Sequence, residues 1–164
     1  LSLLSNDNWQ DSYKRLVGKC SVVCRIQDIR EVTGKADNGK PQRDMTYINL
    51  LTEAETRTVD GEPLPAGHIV EVGLGDYPNP DPVGTEDGDR QHQANDISRR
   101  TIRQLVVSAL GLPANTKNAA EQLRAAGGIE GLKGKRVVAS LSATAKGMQN
   151  VDRFAAVPAT AAVA

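Results

Sequence analysis

The stretch that most constrains the fold is CSVVCRIQDIREV, residues 20–32. Cys20, Val22, Cys24 and Ile26 recur with the period of two that puts side chains on one face of a strand, and Ile29 then breaks the parity. An apolar face that changes phase inside one strand is explained most simply by a bulge that bends it. Two further β-rich runs follow. MTYINLL, 45–51, is reached through the polar connection TGKADNGKPQRD, 33–44, and HIVEVGL, 68–74, sets His68, Val70, Val72 and Leu74 alternating with Ile69 and Glu71.

The period then changes from 2 to 3.6. DYPNPDPVGTEDGDRQHQAND, 76–96, carries three prolines, two glycines and six acids and reads as a long loop. Beyond it Ile102, Leu105, Val106, Ala109 and Leu110 share a helical face, with Asp96 or Ser98 as the cap and Gly111 and Pro113 as the stop. A shorter Ala-rich helix is expected over 116–126, and GKRVVASLSATAKGMQNVDRF, 134–154, reads as two strands around a small polar loop. This order predicts a mainly β domain with one or two helices, a five-stranded OB-like barrel with a helix between strands three and four; an unclosed α+β sandwich is the alternative. Residues 17–157 would form the barrel and 158–164 an uncharged tail. Residues 1–16 would be an N-terminal arm whose Trp9 and Tyr13 staple it to the barrel.

The 164 residues suit one domain. Basic and acidic groups balance to a formal net charge of zero, so no global field steers the protein toward a polyanion. The balance conceals a segregation: residues 1–52 carry +2, 53–90 carry −8 and 91–164 carry +6, so nucleic acid would have to meet the outer thirds. No stretch approaches the about 18 apolar residues of a membrane span, and no charged and then apolar leader is visible, so neither spanning nor export is expected. Cys20 and Cys24 would lie roughly 13 Å apart on one strand face. That is too far for a disulfide, and with no second Cys or His pair to complete a zinc site they read as buried thiols.

The helix RRTIRQLVVSALGL, followed from residue 132 by LKGKRVVASLSATAKGMQNVDRF, resembles the C-terminal half of phage-encoded OB-fold proteins that bind single-stranded DNA. Leu132, Gly134 and Lys135 match the L-x-G-K that opens that family's fourth strand, and Gly147 and Asn150 match the G-x-x-N that leads into its fifth. The resemblance covers residues 97–157, and 17–75 in strand pattern only. It implies a groove over the sheet flanked by the loop between strands one and two and the loop between strands four and five. The first loop would present Lys35, Lys40 and Arg43; the second, Lys146 with Arg153 beyond it. Lys133, Lys135 and Arg136, with Arg25 and Arg30 on strand one, would extend the path. Tyr47 and Phe154 would be the stacking platforms, each base stack being worth about 1–3 kcal/mol. The implied partner is single-stranded DNA, with self-association, no cofactor and no membrane, in the host cytoplasm. The same cations also read as solvated strand ends and edge gatekeepers, and Phe154 as a core residue.

A second function class fits the charge split, the small aromatic inventory and the uncharged tail: a virion structural or accessory protein for capsid decoration or assembly, built on an OB-like barrel. Its partners would be other virion subunits, met head to tail through the acidic and basic segments. Enzyme activity is not expected, because His68 in a strand and His92 in the acidic segment complete no nucleophile–His–acid set. Asp87, Asp89, His92 and Asp96 could gather around a cation but lack calcium-loop spacing, so a solvated loop is the expectation there and no metal is assigned.

Overall fold

The computed structural model describes residues 16–158. Its spine is β1 (Cys20–Val32), whose register against β2 (Asp44–Thr52) slips between Ile26 and Asp28. That bulge is the parity break: Ile26 and, past the slip, Ile29 both turn into the core. The first half of β1 pairs with β6 (Arg136–Ala143), from Cys20 opposite Leu141 to Arg25 opposite Arg136. Its second half pairs with β2, which pairs in turn with β5 (Ile69–Asp76), while β7 (Gln149–Ala155) pairs with β6. The result is a five-stranded antiparallel sheet in the order β5-β2-β1-β6-β7. A small second ladder joins β3 (Thr56–Arg57) to β4 (Pro63–Leu64).

The inward-facing residues are those the period of two selects. Cys24, Ile26, Ile48, Leu50, Val70, Val72, Val137, Ala139 and Leu141 are completely buried, and helix α1 (Glu86–Ala109) lays Leu105, Val106 and Val107 on the same core. The expected closed barrel is not formed, since no ladder joins β5 to β7. Instead α1 packs against both strands, and Gln104 Oε1 accepts the Phe154 N–H at 3.2 Å, satisfying a β7 donor that points away from β6. Helices α2 (Ala119–Ala125) and α3 (Ile129–Leu132) follow α1, so the described residues hold three helices where one or two were expected. No described helix is long and apolar enough to cross a membrane.

The acidic segment differs most from its expected form, because α1 begins at Glu86 and takes in half of it. Its cap is Thr85, not Asp96 or Ser98. The Thr85 hydroxyl accepts the Gly88 N–H at 3.0 Å, and Glu86, Asp87 and Asp89 lie in the first turn, where carboxylates oppose the helix dipole. This half of the helix buries polar side chains instead of apolar ones. Asn95 accepts the Tyr77 N–H at 2.7 Å and donates to the Tyr77 carbonyl at 2.9 Å; Gln91 accepts the Asp81 N–H at 2.7 Å and donates to Asp81 Oδ2 at 3.0 Å. These two amides zip the remaining loop, residues 77–85, along the helix. The far end follows expectation: Gly111 has φ 65°, and the Leu112 N–H returns to the Val107 carbonyl at 2.9 Å. The arm with Trp9 and Tyr13, up to residue 15, and the tail from 159 lie outside the described residues.

Candidate nucleic-acid interface

On β1, β2 and β5 the residues between the core positions form an outward face whose rows are fixed by register. Arg30 stands opposite Tyr47, which stands opposite Gly73; the next row is Val32, Met45 and Gly75, and the row on the other side ends in Asn49 and Glu71. The Arg30 Cζ lies 4.5 Å from the Tyr47 ring centroid. Gly73 makes this possible, because a Cβ there would sit 3.3 Å from Tyr47 Cε1 and 3.2 Å from Met45 Cε. Gly75 does the same for Arg43, whose Cζ would be 2.9 Å from a Cβ at that position. Lying over Gly75, the Arg43 guanidinium also stands 5.5 Å from the Tyr77 ring centroid, just beyond β5. The face therefore carries two guanidinium–aromatic pairs, each worth about 0.5–1 kcal/mol at an exposed site. Asn49 Oδ1, in the row next to Tyr47, is the one buried side-chain polar atom without a partner among the described residues.

The loop between β1 and β2 is ordered by its own sequence. Asn38 and Gly39, with φ of 48° and 75°, make a tight turn whose flanks Asp37 and Lys40 exchange backbone hydrogen bonds at 3.1 and 2.8 Å. Asp44 Oδ1 accepts from Gln42 Nε2 at 2.8 Å and from the Gly34 N–H at 2.9 Å; these bonds, Gln42 first, hold its carboxyl below the usual carboxylate range. Lys35, Lys40 and Arg43 are exposed, as a phosphate-tracking loop requires. Lys40, Pro41, Arg43 and Tyr77 also face Asp81, Asp87, Arg90 and Gln91 across a cavity of about 370 Å³, so the basic loop meets the acidic segment.

The other expected contacts are distributed unevenly. Lys133 Nζ is held by Glu130 at 2.9 Å and Asp28 at 3.3 Å, hydrogen bonds that raise its pKa, Glu130 being the larger cause. Arg25 and Arg136 face each other in register and share Glu53, the Arg25 contact measuring 2.8 Å. Lys135, Lys146 and Arg153 are exposed. The turn carrying Lys146 lies beyond the start of β1, whereas the 33–43 loop lies beyond its end, so the register does not set the two loops side by side. Phe154 is 4% exposed within the core and presents no stacking surface, as its core alternative requires. Asp87, Asp89, His92 and Asp96 lie on α1, and no metal-holding group of three or more ligands occurs among the described residues.

Tyr77 and the pairing role of Gly73 and Gly75 escaped the sequence reading. The signal was present in VGLGDY, where glycines two apart on one strand face mark a place for something to lie flat. Cys20 and Cys24 are free and buried; burial, with smaller contributions from Cys20 and Glu53, pushes the Cys24 thiol up to about 12. No family model matches the chain, and no curated protein or solved structure is significantly similar to it.

Proposed function

We propose that this chain is a non-catalytic OB-like module that binds single-stranded DNA, with little sequence preference, across the outward face of β1, β2 and β5. The order β5-β2-β1-β6-β7, with α1 between β5 and β6, is that of a five-stranded OB barrel opened between its third and fifth strands, and OB barrels are commonly partly open. The observation that carries the reading is the pair of guanidinium–aromatic stacks, Arg30 on Tyr47 and Arg43 on Tyr77, side by side on one face. Any base has a π-face that can stack on a guanidinium plane or a tyrosine ring, and the same two arginines meet phosphate oxygens. Lys35 and Lys40 extend the backbone path from the adjoining loop, and Lys135, Lys146 and Arg153 are peripheral contacts. Lys133 contributes little while its ion pairs hold, and Phe154 has no part. The test is a fluorescence-anisotropy titration of labelled oligo-dT at low and moderate salt. Binding that weakens steeply with salt supports the reading, and no binding at low salt by folded protein overturns it.

A second reading, a virion structural or accessory subunit, is favoured by one feature of the charges. Arg25, Arg136 and Lys133 are committed to Glu53, Asp28 and Glu130, which leaves a neutral protein with fewer cations for a polyanion. Mass-spectrometric detection of the chain in purified particles, with no oligonucleotide binding, would favour it.

A further inference from the structure

We infer that, at one nucleotide of an otherwise sequence-tolerant path, the cavity between the β1–β2 loop and the start of α1 takes a base of the bound strand and selects for an exocyclic amine, favouring cytosine and adenine over thymine and uracil. This deepens the proposed DNA-binding reading and rests on it. Arg43 links the two places: it lies over Gly75 on the outward face and over Tyr77 in the cavity wall. A strand following the face thus arrives at a volume of about 370 Å³, within the range of small-ligand sites, with Tyr77 and Pro41 as flat walls.

The selecting group is Asp81. Its Oδ2 accepts from Gln91 Nε2 at 3.0 Å, and its N–H donates to Gln91 Oε1 at 2.7 Å. Gln91 is 4% exposed, so the carboxylate is oriented by a partner that cannot turn away. Asp87, the other acid in the cavity wall, is already paired with Arg90 at 2.9 Å. Among the described residues no hydrogen bond is made to Asp81 Oδ1. A fixed carboxylate with a spare acceptor repels phosphate and accepts from an amine, N4 of cytosine or N6 of adenine; thymine and uracil set a carbonyl oxygen at the corresponding position. Lys40 supplies a cation for the phosphate of that nucleotide.

The experiment is anisotropy titration of the full chain with labelled oligo-dC and oligo-dU of equal length at neutral pH and low salt. The two bases differ at the 4-position and the adjoining ring nitrogen, so the cavity should favour oligo-dC by about tenfold. Asp81→Ala should abolish the preference by bringing oligo-dC affinity to that for oligo-dU, its fold checked by circular dichroism. Should that variant not fold, wild-type protein with N4,N4-dimethylcytosine oligomers gives the same reading, since the donor hydrogens are gone and the preference should disappear. Equal binding of oligo-dC and oligo-dU, or a preference that survives Asp81→Ala or dimethylation, overturns the inference and leaves the stacking face standing. Failure of both oligomers to bind overturns the stacking face and the inference together.

Discussion

Arg30 on β1 holds its Cζ 4.5 Å from the centroid of the Tyr47 ring on β2, directly across the ladder, and Gly73 on β5 leaves the ring room to lie there. Arg30 is exposed and Tyr47 half-buried, so the guanidinium is the outer layer of the stack and the ring its support. A base arriving from solvent would meet a flat cation backed by an aromatic, which rewards stacking and phosphate contact together.

Tyr47→Ala removes that support. Oligo-dT affinity should fall by about 1–3 kcal/mol, the range for loss of a stacking side chain, whereas Tyr47→Phe should retain most of it because the ring stays. Anisotropy titration at one fixed salt concentration measures both.

Arg30→Ala and Lys133→Ala separate a free cation from a committed one. Arg30→Ala should lower the slope of log affinity against log salt by about 1, as expected for one lost phosphate contact. Lys133 is bound to Glu130 and Asp28, so its removal should leave the slope unchanged and alter stability little, as for other exposed ion pairs. An equal change of slope in both variants would contradict the assignment.

Asn95→Ala orphans the Tyr77 N–H and carbonyl, which Asn95 satisfies from within the buried stripe of α1. A loss of about 1–3 kcal/mol is expected in urea unfolding, and Asn95→Leu should not recover it, because an apolar side chain fills space without pairing either group.

Burial of the thiols gives a chemical and a pH signature. Cys20 and Cys24 should resist a thiol reagent in the native protein and react at once in denaturant. Cys24 moves from 9.0 unfolded to about 12 folded, so its stabilising contribution is complete below 9 and is lost as pH rises toward 12. Cys24→Ala should flatten the alkaline limb of a stability–pH profile; an unchanged limb would remove Cys24 as its cause.

The five strands of the main sheet were legible because each is buried on one face, the parity break at Ile29 announcing the bulge and Val70 and Val72 announcing β5, whereas the two-residue β3 and β4 lie in what reads as a charged turn. The first half of α1 was not, since Gln91 and Asn95 occupy core-facing positions and an apolar period cannot register amides that are buried because they pair with the 77–85 loop. Barrel closure was equally out of reach, as it turns on whether β5 and β7, which approach each other under α1, also join in a hydrogen-bonded ladder. Around the candidate face, Lys35, Lys40, Arg43 and Tyr47 were named by residue type, and the fold leaves the three cations exposed and Tyr47 half-buried. The loss of Lys133 to ion pairs and of Phe154 to the core depends on neighbours far away in the chain.

Whether DNA lies on the outward face of β1, β2 and β5 can be read from chemical-shift mapping of backbone and side-chain NMR signals during an oligonucleotide titration. Shifts should concentrate on Arg30, Arg43, Tyr47, Gly73, Gly75 and Tyr77, with Phe154 and Cys24 unmoved. Saturable shifts confined to β6, β7 and the turn carrying Lys146, or no shifts at all, would contradict that placement.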